Sequence, residues 1–190
     1  MIADASRLIV VTGPSGVGKD TILETLKRNQ LPLEFVLTTT TRPERPGEHH
    51  VYHHIDVPTF QKMITDGAFA EWAKVYDQYY GTELTELERA MNTGRTTILE
   101  NDIQGAKIVK SLFPQSTIIF ISPKDIEELE TRLRKRGKNN DAEIRTRLDT
   151  AASELAQAHI ADHVIINEEG KLDKAVSEIQ KIIESLGLKA

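Results

Sequence analysis

The 190-residue chain has no cysteine, so neither disulfide staples nor thiol chemistry enters its design. That absence suits a reducing compartment, and a cytoplasmic location is expected. No apolar run approaches the roughly 20 residues that a membrane-spanning helix needs, so no membrane partner is expected. Met1 to Arg7 lead straight into a strand-like run, leaving no stretch for a signal peptide. Positive charge is also scarce, with 24 Lys and Arg against 29 Asp and Glu for a net charge of -5. A general nucleic-acid binder presents a basic footprint, and none is expected here. The arginines are instead gathered at 42–45 and 132–147, a distribution suited to a small, highly charged ligand. Internal repeats and low-complexity tracts are missing too.

What remains is a composition of 39% hydrophobic and 28% charged residues, enough for a substantial core without staples. Apolar runs alternate with helical patterns. Leu8–Thr12 is short, continuous and β-rich, as a buried parallel strand should be. Residues 96–99, 117–121 and 164–166 read as further core strands. Helical patterns at 21–30, 101–112, 124–136, 141–160 and 171–186 follow or separate them. That order specifies an α/β fold with a parallel sheet and right-handed crossovers.

Two stretches break the rhythm. Residues 34–82 hold short strand-like pieces around a Pro- and Arg-rich turn and read as an inserted subdomain. Residues 124–150 contain the second arginine cluster, with a soft centre at Gly137-Lys138-Asn139-Asn140 that few apolar residues anchor. They read as a mobile lid. The core is then 5–33, 83–123 and 151–186 of one unit spanning 5–186.

Gly13-Pro14-Ser15-Gly16-Val17-Gly18-Lys19 lies between a strand and a helix pattern. Its glycines let successive backbone N–H groups turn inward as an anion nest, reinforced by the helix N-terminus. Lys19 then reaches the β- and γ-phosphates of a nucleotide, and ATP is the expected ligand. The position after the lysine normally carries a Ser or Thr hydroxyl for Mg²⁺. Here it is Asp20, followed by Thr21. A carboxylate is also a hard oxygen ligand, so Asp20 is the candidate metal contact.

A phosphate loop leaves many functions open. The insert narrows them. Thr38-Thr39-Thr40-Thr41-Arg42-Pro43-Glu44-Arg45-Pro46-Gly47-Glu48 closely resembles the guanylate kinase signature, a Ser/Thr run leading into Arg-x-x-Arg-x-Gly-Glu. Glu71-Trp72-Ala73, Tyr79-Tyr80-Gly81-Thr82 and Asp102-Ile103-Gln104-Gly105 are similar to that family's other motifs, in its order. The resemblance implies a P-loop NTPase core with a parallel sheet, an inserted GMP-binding subdomain and a mobile lid that close over two nucleotides. It implies ATP and GMP as substrates, with dGMP as a related acceptor. Arg42, Arg45, Tyr52 and Tyr80 would hold the GMP phosphate, while Thr38, Glu71, Thr82 and Asp102 lie around the guanosine. Arg132, Arg136 and Arg147 would serve the lid and the moving phosphoryl group, and Asn167 would lie near the adenine nucleotide.

Elementary chemistry supports those roles. Guanine presents N1–H and an exocyclic NH₂ on one edge, and one carboxylate accepts from both. Adenine lacks that donor pair, so a buried Glu71 selects guanine. Phosphoryl transfer needs positioning and charge neutralisation, which arginine forks and Mg²⁺ supply without a covalent intermediate.

Blander readings stand beside these. Arg134 and Lys135 read as a solvated basic face. His49, His50, His53 and His54 crowd a short stretch but have no Cys partner, and no metal role is expected of them. Trp72 reads as packing. Glu100 and Asp102 end a strand where acids reach Mg²⁺ through waters; capping of the next helix is an equal reading for Glu100. Rival functions are a related ribose bisphosphate phosphokinase, which shares Asp after the loop lysine, and a non-catalytic binding module. The first does not need a guanine-reading set, and the second would not keep Lys19. A GTPase is disfavoured by the absence of an Asn-Lys-x-Asp motif.

Overall fold

The computed structural model describes residues 4–44, 52–75, 77–137 and 140–186. In chain order the elements are β1 Leu8–Thr12, α1 Lys19–Arg28, β2 Leu33–Phe35, β3 Thr38–Thr40, β4 Tyr52–His54, α2 Val57–Thr65, β5 Phe69–Val75 and β6 Gln78–Glu83. They continue with α3 Leu84–Met91, β7 Thr96–Glu100, α4 Ile103–Leu112, β8 Thr117–Ser122, α5 Ile126–Lys135, α6 Asp141–Ala156, β9 His163–Ile166 and α7 Leu172–Ser185.

The central sheet is parallel throughout, in the order β2-β7-β1-β8-β9. Alternation along β1 explains why its sequence is apolar without a break. Ile9 and Val11 face α1 and α7, while Leu8 and Val10 face α3 and α4. Each such side chain contributes roughly 1.5–3 kcal/mol on burial. Because β1 is flanked by β7 on one side and β8 on the other, its C-terminal end is the switch point where α/β sheets bind ligands.

The insert builds a second sheet, β4-β3-β6-β5, in which β3 and β4 run parallel and the other pairs antiparallel. Its back is filled by an aromatic stack, with Phe60 of α2 4.4 Å from Phe69 and 5.3 Å from Tyr79. A Cβ at Gly81 would lie 2.8 Å from Phe69 and 3.1 Å from Phe60, so glycine there is a packing requirement. Helices α5 and α6, in the stretch expected to be a lid, meet through Leu129, Leu133, Ile144 and Ala151. An Asn140–Glu143 capping box starts α6.

The structure amends several sequence expectations. Phe35, assigned to the insert, ends a strand that pairs with β7, so the core keeps residues 33–35 and the insert starts later. The stretch 57–65, expected within a run of strand pieces, is helical, started by the Asp56 side chain accepting from Thr59 N–H at 2.7 Å. Residues 84–91 form a further helix that was not expected. The first helix begins at Lys19, two residues earlier than expected, which places Asp20 in its first turn. Strand β9 is half a core strand: Ile165 is buried, but Val164 and Ile166 are each 51% exposed because β9 is the sheet edge. Helix α6 runs unbroken past residue 150, the expected end of the lid. Among the described residues no helix is long and apolar enough to cross a membrane.

Candidate active site

The loop between β1 and α1 adopts backbone angles that only glycine takes cheaply, with φ of 139° at Gly13 and 98° at Gly18. Space is as strict as conformation. A Cβ at Gly13 would fall 2.2 Å from the Ile121 carbonyl oxygen, and one at Gly18 would fall 2.6 Å from Asn167 Nδ2. Lys19 curls back over the loop and donates to the carbonyls of Gly13 at 2.8 Å and Pro14 at 3.3 Å. The Val17 side chain is fully buried in the core, so this residue offers the loop only its backbone. Its carbonyl accepts from Arg132 at 3.0 Å and from Asn167 at 2.8 Å.

The loop forms one wall of a cavity of about 340 Å³. Gly13, Ser15, Gly16, Gly18, Lys19 and Asp20 line it from the loop and the start of α1, Thr38, Arg42, Tyr52, Glu71 and Tyr80 from the second sheet and its approach, and Arg136 and Arg147 from the end of α5 and from α6. Asp102 joins them at the start of α4. Residues separated by more than a hundred positions thus face one space. Arg147 Nη1 donates to Ser15 Oγ at 2.8 Å, tying α6 to the loop.

On the insert side the outstanding group is Glu71, only 5% exposed. The Thr82 hydroxyl donates to its Oε1 at 2.6 Å. Burial raises the Glu71 pKa, hydrogen bonding by Thr82 and an interaction with the Asn101 amide hold it down, and the Asp102 charge pushes it up again. Thr82 itself is fully buried and does not line the cavity; its side chain meets the Glu71 carboxylate instead. Arg42 spreads over the Tyr52 ring at 5.1 Å, and Tyr52 meets Tyr80 edge-on at 6.4 Å. His54 Nδ1 donates to the Arg42 carbonyl at 2.7 Å, fixing the backbone that carries this arginine. His53 points to the opposite side of β4, where Glu83 Oε1 accepts from its Nδ1 at 3.1 Å. Arg45, His49 and His50 lie outside the described residues.

Other expected residues fall beside the cavity. Arg132, Asn167 and Thr21 line an adjoining recess with Gly16 and Gly18. The Arg132 guanidinium is engaged by the Val17 and Asn167 carbonyls and by Glu128, so it braces the loop from behind. Pro14, within the loop itself, is buried. Trp72 is 42% exposed and tilts against Tyr79 on the outer side of β5, as a packing residue. The cap of α4 is Asp102, whose Oδ1 accepts from Gly105 N–H at 2.7 Å, and Glu100 takes no part in it.

Glu100 instead lies 4.0 Å from Lys19 Nζ. Its pKa is pushed up to about 7, foremost by burial, against the pull of Lys19 and with the charge and hydrogen bond of Asp20 adding to the rise. Two carboxyls that share a hydrogen bond beside a phosphate loop are a hard-oxygen donor set, and they fit a magnesium ion. Glu154 and Asn101 also line the cavity and escaped the sequence reading. For Glu154 a signal existed: it follows Arg147 by seven residues, two helical turns, and so shares its face of α6. Its pKa is raised by burial, against the pull of Lys19. Nothing in the sequence marks Asn101.

A family model described as guanylate kinase matches residues 5–186. Over 183 residues the chain is 39% identical to the guanylate kinase of Bdellovibrio bacteriovorus, which spans 95% of this chain and 98% of that one. The guanylate kinase of Caldanaerobacter subterraneus is 42% identical over 178 residues, covering 93% of this chain and 85% of the relative. Among solved structures, a guanylate kinase from Anaplasma phagocytophilum superposes with a TM-score of 0.75 at 26% identity, covering 96% of this chain and 86% of that one.

Proposed function

The chain belongs to the guanylate kinase family, and from that premise we propose how its own residues carry the reaction. It is a nucleoside monophosphate kinase: an oxygen of the GMP phosphate bonds to the γ-phosphorus of ATP while the bond to the ADP oxygen breaks. The backbone N–H groups of Gly13–Lys19 and the start of α1 hold the ATP phosphates, with Lys19 Nζ moving from the loop carbonyls to phosphate oxygen. Arg132 and Asn167 support the loop beneath the adenine nucleotide. Glu71 accepts from guanine N1–H and NH₂, with Thr38 and Asp102 beside the base and Thr82 behind the carboxylate. Arg42, Arg45, Tyr52 and Tyr80 hold the GMP phosphate in line. Arg136 and Arg147 descend with the lid and neutralise the charge that spreads over the moving group.

Asp20, supported by Glu100, would hold Mg²⁺, which when bound neutralises phosphate charge. The domain division that serves this chemistry is a core, an insert carrying the acceptor and a lid carrying arginines. The ATP consumed is a cytoplasmic metabolite, which supports a cytoplasmic location.

One observation carries this reading: Lys19 of the phosphate loop and the buried Glu71 line the same cavity. Turnover of GMP, AMP, CMP and UMP with ATP in a coupled ADP-release assay tests it. GMP should be consumed far faster than the others. Equal rates for AMP and GMP would remove Glu71 as the base reader, and no turnover at all would remove the activity.

A further inference from the structure

Threonine fills every position from 38 to 41, just before Arg42, yet its hydroxyls are put to different uses. Thr38 lines the cavity, and Thr39 donates to Glu83 Oε1 at 2.5 Å on the opposite face of the sheet. Thr41 Oγ1 accepts from Tyr79 N–H at 2.9 Å. Thr40 is fully buried and does not line the cavity. Its hydroxyl donates to the Tyr79 carbonyl at 2.8 Å and accepts from Arg42 N–H at 3.1 Å. The other end of the same residue is held from β4, where His54 Nδ1 donates to the Arg42 carbonyl at 2.7 Å. A carbonyl can only accept, so Nδ1 carries the proton. His54 Nε2 is buried with no hydrogen-bond partner, which leaves Nδ1 as the polar anchor of the ring. Thr40 and His54 are register partners of β3 and β4, so the sheet itself sets the spacing between the two grips. Pro43 adds a local restraint, because the residue before a proline is kept out of helical conformations.

We propose that Thr40 and His54 are positioning residues for the acceptor phosphate, gripping the N–H and carbonyl of Arg42 so that its guanidinium is aimed over Tyr52 into the cavity. This rests on the reading of Arg42 as a phosphate clamp given above. An arginine on a loose backbone must order its main chain as well as its side chain when it binds, and a fixed backbone removes the first cost. The Thr40 hydroxyl also joins the two arms of the clamp, since the Tyr79 carbonyl that accepts from it directly precedes Tyr80. That carbonyl accepts from Thr41 N–H at 3.0 Å as well, so loss of the Thr40 hydroxyl is felt chiefly at Arg42. Neither Thr40 nor His54 lines the cavity, and their contribution passes through the arginine.

The test uses variants of the full chain. Thr40→Val keeps the shape and removes the hydroxyl, and Thr40→Ser keeps the hydroxyl without the methyl. His54→Phe keeps a ring beside Tyr52 and removes the donor. KM for GMP should rise roughly tenfold in Thr40→Val and in His54→Phe, with KM for ATP unchanged and Thr40→Ser within about threefold of wild type. In an Arg42→Met background the same changes should add little, because the group they act through is gone. Full additivity in that background overturns the proposal. A packing role would lower the melting temperature and raise both KM values together, and that outcome overturns it too. His54→Phe loses a single part-buried bond, so it keeps the test open if Thr40→Val fails to fold, and an unchanged KM for GMP in it is a refutation. Arg42→Met alone separates the two readings. If it leaves KM for GMP unchanged, the phosphate clamp fails; if it raises KM while Thr40→Val and His54→Phe do not, only the role of Thr40 and His54 fails.

Discussion

Replacing Glu71 by glutamine changes one oxygen to an NH₂ in a pocket where the side chain is 5% exposed, so the swap cannot be absorbed by solvent. The structure decides which way the new amide turns. Thr82 donates its hydroxyl to Glu71 Oε1 at 2.6 Å, and that contact keeps the amide oxygen on the Thr82 side. The NH₂ then faces guanine N1–H and NH₂, donor against donor. A hydrogen bond to a charged group contributes about 1.5–3 kcal/mol, so losing one weakens GMP binding roughly ten- to a hundredfold. Losing both exceeds that. KM for GMP should rise by at least that factor, while KM for ATP stays put and the fold, relieved of a buried charge, is no less stable. The pH response follows in sign. GMP needs the ionised carboxylate, and burial has raised the Glu71 pKa, so wild-type GMP affinity falls on acidification at a pH above the usual carboxylate range. In Glu71→Gln that limb disappears. Steady-state kinetics against GMP across pH measures both effects, and a KM within twofold of wild type would refute the argument.

Arg147→Ala should lower kcat more than it raises KM for ATP, since an arginine that meets charge developing in transfer acts mainly in the transition state. A change confined to KM for ATP would make it a ground-state binder through Ser15. Asp20→Ser should stay active but make ATP affinity less steeply dependent on Mg²⁺, measured by titrating ATP at several metal concentrations. Coincident curves with a shifted melting temperature would leave Asp20 as a helix-end charge, a contribution of roughly 0.3–1 kcal/mol. Glu100, with its pKa near 7 against 4.5 in the unfolded chain, contributes relative stability that is complete below about 4.5 and lost as pH rises through about 7. Glu100→Gln should therefore flatten the fall in melting temperature between pH 5 and 8, and an unchanged slope would remove the carboxyl as its source.

What the sequence determined by itself was whatever depends on neighbours in the chain. The spacing from Gly13 to Lys19 dictates a loop of positive-φ glycines opening a helix, because backbone sterics act over a few residues. The apolar run at 8–12 specifies a strand buried on both faces, and Arg42 and Glu71 were legible through their place in motifs. Sheet membership was not legible, because pairing is a contact between distant segments. Phe35 looks like its neighbours in the insert yet pairs with Ile98 of the core, and Val164 reads as core until the edge position of β9 exposes it. Propensity was also overruled at 57–65, where an Asp56 cap and the stacking of Phe60 on Phe69 and Tyr79 make a helix of a stretch expected among strand pieces. Only the tertiary structure brought Glu154, Asn101 and Lys19 to one cavity, and only it buried Glu71 against the Thr82 hydroxyl. Burial and proximity are what shift a carboxylate's proton affinity, and neither is a property of a residue's place in the chain.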